Sequence, residues 1–268
     1  MTNSNTNSHG NIIRCNEGLK LIQRPTDVAT VRPMSYYRLM KRVPLLISII
    51  LLLCFSANPQ SPLDPGVVKD GTYSNADLGF SFTYPKGWVV HGEATKERIL
   101  EIGREKIAES GAAPKPAVEV ALKNTYQLLT VFRHPLGTPG ITFNPALIVM
   151  AEKVAHAPGI TNGSDYLLNV RTVLLKTGYQ LLHKDLIECR FAGSQFFRED
   201  LATEVNGVHI VQTSFATLAK GYALVFIFVG QDQASADEMA KSMETFDVVL
   251  PVRKGVTKTG SAPQRKPN

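Results

Sequence analysis

Eight consecutive apolar residues, Tyr222 to Val229, place the tightest limit on what this chain can fold into. A strand with one wet face alternates apolar and polar residues, so an unbroken apolar run calls for a strand covered on both faces. Cover follows directly in the sequence. Ser235 with Glu238 reads as a capping box, and Ala236, Met239, Ala240, Met243 and Phe246 give the next helix one apolar stripe. Upstream, Asn206-Gly207 is the pair a two-residue type I′ turn prefers, because both positions need positive φ. It predicts a hairpin of residues 195–205 against 208–217. The fold class expected is α+β, an antiparallel β-sheet packed by helices.

The first half of the domain carries the same two periods. A short edge strand is expected at 71–73, and Leu78, Phe80, Phe82 and Tyr84 alternate with smaller residues at the spacing of a half-buried strand. Pro85, Lys86 and Gly87 turn the chain before Trp88, Val89 and Val90 resume it. Residues 94–110 carry Ile99, Leu100, Ile102 and Ile107 at helical spacing. Pro114 and Pro116 mark 111–117 as a loop, and 118–124 fits either a helix or a strand. Strands are expected at 127–132 and within 141–154. Ser164 or Asp165 caps a helix with Leu167, Val170 and Leu174 on one face, and Gly178 ends it.

The ends of the chain read differently. Lys41 and Arg42 precede the apolar block Leu45 to Phe55, which exits through Ser56, Ala57, Asn58 and Pro59, the three-part pattern of a secretory signal. Residues 34–57 are therefore expected to direct export, giving a secreted or periplasmic protein. The alternative is an uncleaved anchor, with residues 45–57 holding the protein to the membrane. Residues 1–33, polar and without periodicity, read as a disordered extension upstream of a start at Met34 or Met40. Cys54 follows the apolar block as a lipidated cysteine would, but Leu53 is bulky where such sites carry a small residue.

The net charge of +6 overstates the basic character of the folded part. Residues 58–251, the expected single domain, hold 17 basic and 21 acidic residues. Such a domain lacks the electrostatic footprint of a nucleic-acid binder. Residues 252–268, with five Lys/Arg, no acid and few apolar residues, read as a disordered basic tail with some attraction to an anionic envelope surface. With Cys15 in the extension and Cys54 in the signal, Cys189 is alone in the mature domain on this reading, which leaves no intramolecular disulfide.

With these elements placed, Tyr73-Ser74-Asn75 followed by Leu78-Gly79-Phe80-Ser81-Phe82-Thr83-Tyr84-Pro85-Lys86-Gly87-Trp88 resembles the opening hairpin of PsbP-like proteins. Gly221-Tyr222-Ala223-Leu224, with a capped helix leading to Met243 and Phe246, resembles their ending. This superfamily includes the photosystem II extrinsic subunit, a Ran-binding nuclear import factor and exported bacterial proteins of unknown role. The resemblance covers roughly residues 70–250 and implies an α-β-α sandwich and a non-enzymatic scaffold or binding protein. No functional residue transfers, since the matching positions are structural; Tyr84, Pro85 and Trp88 are implied to wedge the hairpin against the core.

Motif by motif, the chemistry is thin. His183, Asp185 and Cys189 lie close in sequence and suggest a thiol-dependent hydrolase, although a buried Cys189 is the commoner outcome for a lone cysteine. Arg198 and Asp200 share one face of their strand and Glu199 takes the other, a pattern that usually ends in cross-strand ion pairing. His91, His134, His156 and His209 lack the spacing of zinc ligands. Gly193-Ser194-Gln195 lacks the second glycine of a nucleophile elbow, and residues 159–163 lack the lysine of a P-loop. Asn162-Gly163-Ser164 fits a glycosylation sequon. No catalytic, cofactor-binding or metal residue is assigned. The expected function is an exported binding or accessory protein, using the sheet face or the loops at 111–116 and 134–140. Its partner is an unknown protein or a small apolar ligand.

Overall fold

The computed structural model describes residues 63–249 apart from 156 and 158. The expectations for residues 1–57 and 252–268, and for His156, lie outside the described residues. In chain order the elements are β1 (Val67–Lys69), β2 (Thr72–Asn75), β3 (Phe80–Thr83), β4 (Val89–Val90), α1 (Glu93–Ser110), α2 (Lys115–Asn124), β5 (Thr125–Phe132), β6 (Ala146–Lys153) and α3 (Gly163–Lys176). There follow β7 (Gln180–Leu181), β8 (Ile187–Phe191), β9 (Ser194–Val205), β10 (Val208–Ala219), β11 (Tyr222–Gly230), α4 (Gln233–Ala240), a 3-10 turn (Lys241–Thr245) and β12 (Asp247–Val248).

The strands form two antiparallel sheets. The larger runs β4-β5-β6-β11-β10-β9-β7, with β8 also paired to β9; the smaller runs β1-β2-β3-β12. The fold is α+β. β11 sits between β6 and β10, where its apolar run requires it to be. On one face Ala223 and Val225 pack with Tyr166 and Leu167 of α3. α1 and α2 lie on this side with α3, over β5 and β6. On the other face Phe226 meets Phe80, Phe82 and Phe246 at centroid distances of 5.8, 5.2 and 6.0 Å, all edge to face. Pairs of this kind add about 0.5–1.5 kcal/mol each beyond the area they bury. The second cover is thus α4 together with the small sheet, and not helices alone.

Four two-residue turns share one solution. Asp70-Gly71, Ala192-Gly193, Asn206-Gly207 and Lys220-Gly221 all have positive φ at both positions, with the first residue between 45° and 52°. Each joins consecutive strands, and Val205 opposite Val208 closes the hairpin expected at Asn206-Gly207. A non-glycine residue reaches this region only against steric cost, which the right-handed twist of the joined strands justifies.

Several local expectations need correction. The stretch expected as a loop contains the start of α2, since Pro116 falls in the first helical turn, where a missing N–H costs nothing. α3 is capped by Asn162, whose Oδ1 accepts from the Ser164 and Asp165 amides at 2.8 and 3.1 Å. The sequon asparagine thus serves as a cap. α4 is capped by Asp232 and not Ser235: Asp232 Oδ1 accepts from the Ser235 amide at 2.7 Å, and Ser235 Oγ accepts from the Asp232 amide at 3.2 Å. The capping box therefore lies one turn earlier than the sequence suggests. Gly163, at the first position of α3, lets the helix touch β10, because a Cβ there would overlap the Ala216 carbonyl oxygen.

Candidate binding groove

The pairing of Val89 with Phe132 brings Trp88, just before β4, beside Arg133, just after β5. Around them Pro85, Lys86, Gly87, His134, Pro145 and, from α4, Ser235, Glu238 and Met239 line an open groove of about 480 Å³. The opening hairpin contributes Tyr73, Phe80 and Phe82 to the core, each at most 1% exposed. Trp88 is only half-buried and faces the groove. It does not wedge the hairpin as the resemblance implied.

Each wall is fixed by specific bonds. At the loop base the Arg133 amide donates to the Pro145 carbonyl at 3.0 Å. The His134 amide donates to Asn144 Oδ1 at 3.0 Å, and Asn144 Nδ2 donates back to the His134 carbonyl at 2.8 Å. α4 is tied to the sheet by a buried ionic clamp. Arg198 Nε reaches both Asp200 oxygens at 3.0 and 2.9 Å, and its Nη2 bonds Asp200 and also Asp237 of α4. Thr213 Oγ1 donates to Asp200 Oδ1 at 2.6 Å, and Gln233 Nε2 to Asp237 at 3.0 Å. Burial works against the Arg198 charge, but the two carboxylates outweigh it and hold the guanidinium above its usual value.

The sequence placed Arg198 and Asp200 on one face and Glu199 on the other, as found. The expected cross-strand pair is instead a pair along one strand, extended to α4. Glu199 pairs on the opposite face with Arg171 of α3, and burial pushes its carboxyl up while Arg171 pulls it back. These groups hold layers together.

The charge of the groove is not cancelled internally. Lys86 and Arg133 are exposed and have no ion-pair partner among the described residues. Glu238, the groove's carboxylate, is engaged by Lys241. The loop that carries Arg133 and His134 also exposes Leu136 and Ile141. Of the expected recognition loops, 134–140 thus borders the groove. The one at 111–116 borders a smaller depression of about 240 Å³ between α1 and α2, where Arg104 already bonds Glu101 and Glu119. The sheet face, the third option, is covered on both sides.

The thiol constellation does not assemble. Cys189 lies on the buried side of β8, 2% exposed, with Sγ 3.8 Å from the Ile187 carbonyl, while His183 and Asp185 sit in the exposed connection before it. In the full chain Cys189 is disulfide-bonded. Among the histidines, His91 stacks edge-on against Phe132 at 5.1 Å, His134 borders the groove and His209 is exposed on β10. No cluster of three metal-capable side chains occurs among the described residues. Gly193 belongs to the turn before β9 and Ser194 opens that strand, while residues 159–163 run through the Asn162 cap to the first residue of α3.

No protein-family model matches the chain, and no curated protein matches it. Among solved structures, it is similar to cyanobacterial PsbP from Synechocystis at 14% identity and a TM-score of 0.39, covering 71% of this chain and 99% of that one. It is similar to LpqN, involved in cell envelope biogenesis of Mycobacterium tuberculosis, at 12% identity and a TM-score of 0.37, covering 70% and 87%. A Pseudomonas aeruginosa protein of unknown function, a putative regulator, matches at 12% identity and a TM-score of 0.32, covering 46% and 79%. Likeness at this level carries no argument about activity or partner.

Proposed function

We propose that this chain is an exported, non-enzymatic binding or accessory protein that engages its partner through the groove at Trp88. The observation that carries the reading is a half-buried tryptophan beside two cations without ion-pair partners among the described residues, on walls held by the Asn144 clasp and the Arg198 clamp. Rigid walls with unsatisfied chemistry are what a recognition surface needs. The export part rests on residues 34–57; no helix among the described residues is long and apolar enough to cross a membrane. Against the thiol-hydrolase alternative, Cys189 is 2% exposed on the inner side of β8 while His183 and Asp185 sit in the exposed connection before it. Retention in the envelope through residues 45–57 remains compatible with the same groove.

The test is site-directed photo-crosslinking in the producing cells. A photoreactive residue replacing Lys86 or Leu136 should give one discrete adduct, absent when the same residue replaces Leu168, exposed on α3. Adducts from Leu168 alone, or none at the groove, would refute the proposal.

A further inference from the structure

Resting on the groove as the binding site, we infer that its occupant is an acidic, extended segment of another protein. One apolar side chain of that segment lies against Trp88 and Met239, and its carboxylates meet Lys86 and Arg133. The charge argument comes first. The expected domain is acidic overall, with 17 basic and 21 acidic residues, yet the groove presents two cations that no described carboxylate answers. Covering them without a counter-charge would leave desolvated cations, so the occupant brings its own anions. The chain's tail is excluded as that occupant, because residues 252–268 carry five Lys/Arg and no acid.

Shape and donor chemistry decide between a peptide and a small apolar molecule. A small ligand needs a cavity that buries about 70–90% of its surface, whereas this groove is open to solvent. The apolar surface also continues past it, through Leu136 and Ile141, 52% and 39% exposed on the loop that supplies Arg133. That extent suits a chain segment longer than the groove. Of the polar side chains lining the groove, Glu238 is engaged by Lys241 and Ser235 Oγ by the Asp232 backbone, which leaves the Lys86 ammonium, the Arg133 guanidinium, the Trp88 indole and the His134 imidazole for recognition. The first three only donate, and carboxylates are the acceptors that match them.

The full chain, immobilised, is panned against a library of random dodecapeptides displayed on phage, with counter-selection on the Lys86→Glu/Arg133→Glu double variant. Both substitutions fall on exposed side chains, and circular dichroism confirms that the variant folds. Binding is read from Trp88, the chain's single tryptophan, so an emission change reports the groove directly. Selected peptides should carry Asp or Glu beside an apolar residue. They should bind the double variant at least about tenfold more weakly, and lose about tenfold in affinity as salt rises from about 50 to about 500 mM. An unenriched or basic selection, equal binding to the double variant, or saturable response to oleate without peptide binding would each overturn the inference. A lipid or small-molecule adduct at Lys86 in the crosslinking experiment would also overturn it, while leaving the groove standing as the binding site. Adducts confined to Leu168 would remove both.

Discussion

Tyr73 makes the alkaline stability of this protein a quantitative test of its opening hairpin. The phenol is 1% exposed; its oxygen donates to the Pro65 carbonyl at 2.9 Å and accepts from Asn75 Nδ2 at 3.1 Å. Burial pushes its pKa up to about 12, with the Asn75 hydrogen bond pulling back and the Asp64 carboxylate pushing further. The folded state therefore favours the neutral phenol. The stability this contributes is fully present below the unfolded value near 10 and is lost as pH climbs through 10 toward 12. Between pH 9 and pH 11 the loss comes to about 1.3 kcal/mol, since a tenfold change in an ionisation equilibrium is worth about 1.36 kcal/mol. Tyr73→Phe should cost about 1 kcal/mol at pH 9 through the lost hydrogen bonds. It should then lose about 1.3 kcal/mol less than the parent on going to pH 11, so that the two become nearly equal there. Tyr166, Tyr179 and Tyr222 are also shifted upward, but they are common to both proteins and cancel in the comparison. Urea unfolding followed by far-ultraviolet circular dichroism at both pH values supplies the four free energies. Equal losses in parent and variant would refute the reasoning.

Three further outcomes are expected. Gly163→Ala should destabilise by about 1–3 kcal/mol or more in urea, because its Cβ would overlap the Ala216 oxygen and α3 must lift off β10; a neutral result would place the helix elsewhere. Asp200→Asn should cost about 3 kcal/mol, since it strips the buried Arg198 of its bidentate partner; a loss below about 1 kcal/mol would mean the clamp is solvated. Cys189 should not react with a thiol reagent in the native full chain, because it is 2% exposed on the inner side of β8; labelling on mixing, read by intact mass, would contradict that burial.

The parts of the fold written in nearest-neighbour chemistry were legible. The eight-residue apolar run became the central strand, Asn206-Gly207 the hairpin, and Ala236, Met239, Ala240, Met243 and Phe246 a buried stripe. The turns at Ala192 and Lys220 were not legible, because neither residue favours positive φ by itself; strand pairing imposes it there. Asp70-Gly71 did carry a signal, masked by reading Gly71 into the strand that follows. α2 was hidden by proline taken only as a breaker, and both caps were displaced because several Ser, Asn and Asp residues compete within one turn. The groove was the least legible feature. Its lining comes from four separate parts of the chain, and nothing local to Trp88 distinguishes a wedge from a wall.

The four glycine-closed turns also bear on how the molecule assembles itself. Strands β8 to β11 form a meander in which each strand meets the next across two residues, so its loop-closure cost is small and it can form early. The small sheet is the opposite case. β12 reaches β3 from the far end of the described chain, and the Thr83 amide meets Thr245 Oγ1 across 162 residues. The groove needs both kinds of closure, because its rim joins the β3–β4 turn to α4. Pulsed hydrogen exchange should thus protect amides of β9 to β11 before those of β3 and β12, and simultaneous protection would contradict this order. In that sequence of events the groove proposed for recognition is the last thing the chain makes, so an unfinished molecule would lack the surface on which the proposed partner docks.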